Sequence, residues 1–157
     1  MTSILKVDTI QGANGSDIPY IKGHVLQVKQ NVIDGNSTST ASTSFVSSPV
    51  TGSITPSKST SKILVRAVFS LYHVSAHSTY ATLYRGTTDL VPSSPNGIVR
   101  VYSGNANIWH PSTIEWLDEP NTTSAVTYTV YFKVTGGTGY INVLEGQSTV
   151  TMMEIGG

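Results

Sequence analysis

The chain contains no cysteine, which excludes disulfides, thiolate zinc sites and a cysteine nucleophile together. Charge is scarce: 11% of the residues are charged, against about 25% in an average soluble domain. Nine basic side chains balance nine acidic ones for a formal net charge of +0. No basic face is available to neutralise a row of phosphates, so neither nucleic acid nor an anionic membrane is an expected partner. No apolar run approaches the roughly 18 residues of a membrane span. The opening Met1-Thr2-Ser3-Ile4-Leu5-Lys6-Val7-Asp8 is too short and too mixed for a signal peptide, so cytoplasmic synthesis without general secretion is expected. Helix-period stripes and helix caps are scarce too.

What remains is hydroxyl and β pattern. Ser and Thr make up roughly a quarter of the chain, so solubility rests on hydroxyls and amides. With 157 residues the chain is long enough for one domain with a real core and too short for an elaborate multidomain enzyme. Residues 1–22 combine a short extended run, Leu5 to Ile10, with the turn-rich Gln11-Gly12-Ala13-Asn14-Gly15-Ser16-Asp17; Pro19 and Gly23 exclude a helix beyond it. This stretch has too little apolar surface to fold alone. It reads as an N-terminal attachment or oligomerisation arm carried by Leu5, Val7 and Ile10, ahead of a globular domain at 23–157.

In that domain apolar residues recur with period two. In Ala125 to Val134, Val126, Tyr128, Val130, Phe132 and Val134 share one face and Thr127, Thr129, Tyr131 and Lys133 the other. Lys62 to Val74 is apolar on both sides, which predicts a central strand buried twice, its second face an interface. Further strands are predicted at His24–Asn31, Val50–Thr55, Thr79–Arg85, Ile98–Tyr102, Ser112–Leu117, Tyr140–Leu144 and Thr149–Ile155. The low-complexity run Asn36 to Ser44 reads as a β-edge or loop anchored by Phe45 and Val46. Turn clusters such as Asp34-Gly35-Asn36, Arg85-Gly86-Thr87 and Pro92 to Gly97 separate these strands. The predicted class is all-β: an antiparallel, jelly-roll-like β-sandwich with an extended N-terminal arm.

Candidate chemistry is thin. His73 and His77 fall on one side of a strand only if the strand continues through both, and two imidazoles without a third ligand make an incomplete metal shell. Glu115 and Asp118 flank Trp116 as sugar-cleaving carboxylates do, but on a strand they face opposite ways, and Asp118-Glu119-Pro120-Asn121 reads as a solvated turn. Gly136-Gly137-Thr138-Gly139 lacks the Lys and the strand-to-helix context of a phosphate loop and reads as a hairpin turn. No Gly-x-Ser-x-Gly elbow is present. No catalytic residue, metal site or cofactor is assigned, and an enzyme is not expected. The aromatic set Tyr72, Tyr80, Tyr84, Tyr102, Trp109 and Trp116 is more suggestive, because rings on strand faces and loops stack on sugars or anchor protein interfaces. Trp109, His110, Tyr102 and Asn105 are the candidate ligand-contacting residues, with Trp109 placed in a loop containing Gly104, Asn105 and Asn107.

The runs Ser3-Ile4-Leu5-Lys6-Val7-Asp8-Thr9-Ile10-Gln11 and Gly23-His24-Val25-Leu26-Gln27-Val28 open a pattern that continues in Ser53-Ile54-Thr55-Pro56-Ser57. Ser61-Lys62-Ile63-Leu64-Val65 and the closing Ser148-Thr149-Val150-Thr151-Met152-Met153-Glu154-Ile155 complete it. In this order and spacing they resemble small virion proteins of tailed phages, especially phages of cyanobacteria and marine bacteria. The resemblance implies a homotrimeric β-sandwich tip, made in the host cytoplasm and carried on the phage particle, with an arm that docks on other virion proteins. It implies a tail-fibre or receptor-binding role in which distal loops touch a host-surface glycan or protein; the alternative is a capsid decoration or cement protein. The stretch from Ser75 to Asn121, where host contact would lie, carries no part of the resemblance.

Overall fold

The computed structural model describes residues 22–157 except 36, 75, 103, 105, 106 and 143–145. The arm residues Leu5, Val7 and Ile10 and the candidate Asn105 lie outside the described residues. Among those described there are eleven strands and no helix: β1 (Val25–Ile33), β2 (Thr38–Thr40), β3 (Val46–Ile54), β4 (Lys62–His73), β5 (Ser78–Arg85), β6 (Thr88–Asp89), β7 (Val99–Tyr102), β8 (Ile108–Asp118), β9 (Val126–Val134), β10 (Gly139–Ile141) and β11 (Ser148–Ile155).

The strands form two antiparallel sheets. In the first, β1 pairs with β11, β11 with the near half of β4, and β8 with the other edge of β4 along its length. The short β10 takes over from β11 at the far end of β4 and carries β2 on its outer edge. The second sheet runs β3-β9-β5, with β6 and β7 sharing the remaining edge of β5. The orders β1-β11-β4-β8 and β3-β9-β5-β7 are those of a jelly roll, in which two Greek keys fold over one another. The run Asn36 to Ser44 supplies the edge strand β2.

The core lies between the sheets. On β4 the side chains of Ile63, Val65, Ala67, Phe69 and Leu71 point inward and are buried, and on β9 so are Val126, Tyr128, Val130, Phe132 and Val134. Each large apolar side chain so enclosed contributes about 1.5–3 kcal/mol. The second face of β4 is not buried within the chain: Leu64 and Tyr72 are half-buried and Arg66 and Val68 exposed, because no element of the described chain packs over that side of the first sheet.

Two irregularities have clear causes. Pro49 sits inside β3, where its missing N–H interrupts the ladder, and the register shifts between Ser47 and Thr51. The Ser48 hydroxyl donates instead to the Val130 carbonyl at 2.7 Å. The expected hairpin at Gly136-Gly137-Thr138-Gly139 is instead a crossing between sheets, since β9 belongs to the second and β10 to the first. Glycines are needed because the backbone passes against side chains: a Cβ on Gly139 would lie 2.6 Å from Val134 Cγ1 and 2.7 Å from Thr79 Oγ1, and one on Gly136 would lie 2.7 Å from His77 Cε1.

Candidate functional site

Trp109 lies on β8, one residue into the strand, and not in a loop. The strand starts there because Ile108 packs against the core and the ladder with β4 runs from His73↔Ile108 to Ile63↔Asp118. The exposure expected of Trp109 is present, at 53%. Register places it opposite Tyr72, and Tyr72 in turn opposite Tyr140 on β10. The three rings form a row across the outer face of the first sheet. Tyr72 and Trp109 stack with centroids 4.8 Å apart and 21° between planes, and Tyr72 meets Tyr140 at 5.4 Å and 48°. Such cross-strand aromatic pairs contribute about 0.5–1.5 kcal/mol beyond their buried area. Among the described residues β8 is paired only through β4, and Tyr72 covers one face of the indole.

The other candidates do not converge on this row. His110 has the opposite strand parity to Trp109, and its Nδ1 lies 3.4 Å from Ser112 Oγ on its own side of β8. Tyr102 ends β7 on the second sheet, so it belongs to the opposite outer face of the sandwich. There it closes a ladder of alternating rings and cations: Lys133 over Phe45 and Tyr80, and Arg100 over Tyr80 and Tyr102. Tyr84 stacks on Tyr131 at 3.9 Å on the same face, and Trp116 is packed against the core. Tyr140 was not singled out in the sequence, since only the cross-strand register brings it beside Tyr72.

The histidines lie at the same end of the sandwich as the aromatic row. β4 stops at His73, yet His77 returns to it with ring centroids 6.0 Å apart. His73 Nδ1 shares a 2.7 Å hydrogen bond with Thr79 Oγ1, while its buried Nε2 has no partner among the described residues. Burial first, and the neighbouring His77 second, hold its pKa below the usual imidazole value. Among the described residues no three His, Asp or Glu side chains gather as a metal shell.

The carboxylates are structural. Glu115 is exposed on the outer face, whereas Asp118 is 6% exposed and closes β8, so the solvated turn begins only after it. Asp118 accepts from Arg85 Nη1 at 3.0 and 2.8 Å and from the Tyr128 hydroxyl at 2.7 Å. Burial, and then this hydrogen bond to Asp118, pushes the Tyr128 phenol far above its usual pKa. Glu154 on β11 is fully buried and accepts from Ser57 N, Ser57 Oγ and Gln27 Nε2 at 2.6–2.7 Å. Burial alone would raise its pKa, but these donors more than offset that and hold it below the ordinary value. A groove of about 490 Å³ between β1 and β3 is lined by Lys29, Ser53, Thr127 and Met152 among others. It is bridged by a 2.7 Å bond from Asn31 Nδ2 to the Thr51 carbonyl, and contains none of the candidate residues.

Compared with known proteins, the chain matches no family model and no curated sequence.

Proposed function

We propose that this chain is a structural protein of a phage particle: a tail-fibre or receptor-binding tip that forms a homotrimer, docks on other virion proteins through residues 1–22, and contacts the host surface with its far end. The observation that carries this reading is the polarity of the sandwich. The described chain enters beside the C-terminal end of β11, where Gly23 N donates to the Gly156 carbonyl at 2.6 Å and Gly156 N to the His24 carbonyl at 2.9 Å. The row Tyr140–Tyr72–Trp109 stands at the other end of β4, eight residues along from Leu64, or roughly 26 Å at the rise of a strand. This separation supports a reading in which attachment and contact use opposite ends of a stiff sheet. The residues expected to touch a receptor are Trp109 and Tyr72, with Tyr140 added by the register. The reading is of a binder and not a catalyst, and Asp118, committed to Arg85 and Tyr128, is in keeping with that.

Two measurements test it. Gold-labelled antibody against the chain is expected on the tails of intact particles; label spread over the heads would replace the reading with the decoration protein. Purified protein is expected to bind host cells or their surface polysaccharide, and Trp109→Ala to weaken that binding by about 1–3 kcal/mol, the loss typical of a hot-spot ring. Cell binding unchanged by both Trp109→Ala and Tyr72→Ala would remove the row from the contact.

A further inference from the structure

Register orders the near half of the first sheet's outer face into three rows. Val28, Met153, Leu64 and Leu117 stand side by side across β1, β11, β4 and β8; Gln30, Thr151, Arg66 and Glu115 form the next row; Val32, Thr149, Val68 and Thr113 the third. Gln30 Nε2 donates to Thr151 Oγ1 at 2.9 Å, which fixes the middle row on this face. Four of the exposed large apolar side chains fall in the flanking rows, Val28 at 56% and Leu117 at 48% among them, with Val32 and Val68. A row holding two opposite charges, flanked by rows that expose four large apolar side chains, is an unusual way to face water.

The charges are the second observation. Arg66 and Glu115 are register partners on neighbouring strands, yet neither belongs to the ion pairs of the described residues, which are Lys62–Glu119 and Arg85–Asp118. The two charges are of opposite sign and lie on different strands, so the β4 side of the patch on one copy complements the β8 side of the patch on another. Association by adding strands at the β8 edge is disfavoured, because Pro111 has no N–H to offer there. The banded face beside that edge is the surface that carries both the exposed apolar side chains and the opposite charges.

We propose that this face packs against a second copy of the chain, the apolar rows closing over each other's surface and Arg66 of one copy pairing with Glu115 of the next. This gives the homotrimer of the fibre reading its contact surface, and rests on that reading only for the number of copies. The occupant is another copy because the face supplies both members of the charge pair. Because Arg66 stands on β4 and Glu115 on β8, each copy in a closed ring offers the β4 side of the patch to one neighbour and the β8 side to the other, which is a heterologous contact. The aromatic row at the far end stays free.

The test is sedimentation velocity of the full chain at micromolar concentrations, with thermal melts to establish that each variant is folded; all the substituted side chains point outward, away from the core. The wild type is expected to sediment as an oligomer, and Leu117→Asp to dissociate it. Arg66→Glu and Glu115→Arg, made singly, each place like charges in contact and are expected to raise the dissociation constant at least about tenfold. The double variant R66E/E115R is expected to return to within about threefold of the wild type, since the pair is restored with its sign exchanged. An oligomer unaffected by all of these, or a double variant no better than the singles, overturns the proposal and leaves the fibre reading standing. A monomeric wild type overturns both this interface and the trimeric fibre. If residues 1–21 of that monomer become protease-sensitive in Leu117→Asp, the face belongs to the chain's own N-terminal segment, which also overturns the proposal.

Discussion

Asp118 joins the two sheets, and its removal has a calculable consequence. It leaves β8 at the edge of the first sheet to accept from Arg85 on β5 and Tyr128 on β9, both in the second. In Asp118→Ala the Tyr128 hydroxyl, with no exposure, is left without an acceptor at a cost of about 1–3 kcal/mol. The Arg85 side chain retains 28% exposure, so water replaces part of what the guanidinium loses, and its share falls below the about 3–5 kcal/mol of a fully buried broken pair. The sum is about 3–4 kcal/mol, which at a urea m-value of about 2–3 kcal/mol/M lowers the midpoint by about 1–2 M. Asp118→Asn retains one acceptor and is expected to lose about half as much. Because the orphaned hydroxyl is part of the penalty, adding Tyr128→Phe to Asp118→Ala should cost little or even recover stability, although Tyr128→Phe alone costs about 1 kcal/mol. Equilibrium urea unfolding of the four variants checks this. An Asp118→Ala midpoint within about 0.3 M of the wild type, or additive losses in the double variant, would refute the argument.

Two further perturbations follow from packing and from charge. Gly139→Ala forces a methyl against Val134 Cγ1 and Thr79 Oγ1, both stiff β-branched side chains, while Gly52→Ala meets chiefly the mobile end of Met152 at 2.7 Å. Thermal unfolding is expected to show a loss of about 2–3 kcal/mol for the first and about 1 kcal/mol for the second, and a reversed order would contradict the geometry. Glu154 is held below the ordinary carboxyl value of 4.5. Its contribution to stability is therefore complete at neutral pH and is lost as pH falls from about 4.5 through the lower folded value. The melting temperature of the wild type should fall toward that of Glu154→Gln over this range, and parallel curves between pH 3 and 7 would refute the assignment.

Most of the fold is written in period-two alternation, and the parts that are not follow identifiable physics. β9 was legible because its inward set, Val126 to Val134, alternates without interruption and is buried as expected. β8 was only half legible: Trp109, His110 and Pro111 look like loop composition, and what makes them a strand is the partner β4, whose residues Ile63 to His73 template the ladder as far as Ile108. The second face of β4, expected to be buried as an interface, is not covered within the described chain, because apolarity says that a face avoids water without saying what covers it. The Gly136 to Gly139 turn misled for a related reason. Local turn chemistry gives the bend, but whether the next strand returns to the same sheet depends on β10 finding the far end of β4, which is a tertiary event.

The candidate site shows the same division between local and cross-strand information. Exposure of Trp109 was legible from its polar surroundings. Its partners were not, because Tyr72 and Tyr140 are separated from it by tens of residues and meet it only through two registers that lock together at the end of β4. The sequence grouped Trp109 with Tyr102 and His110 because they are near in the chain, yet strand alternation and the passage from one sheet to the other turn these three in different directions. Proximity in sequence is a poor guide to shared function in a jelly roll, where consecutive long strands repeatedly change sheets; residues on one face are gathered from β1, β4, β8, β10 and β11. The outer face of the first sheet consequently carries two surfaces of different character along the length of β4. Banded apolar rows around Arg66 and Glu115 lie where the described chain enters, and stacked rings lie at the far end. A stiff antiparallel sheet keeps the two apart.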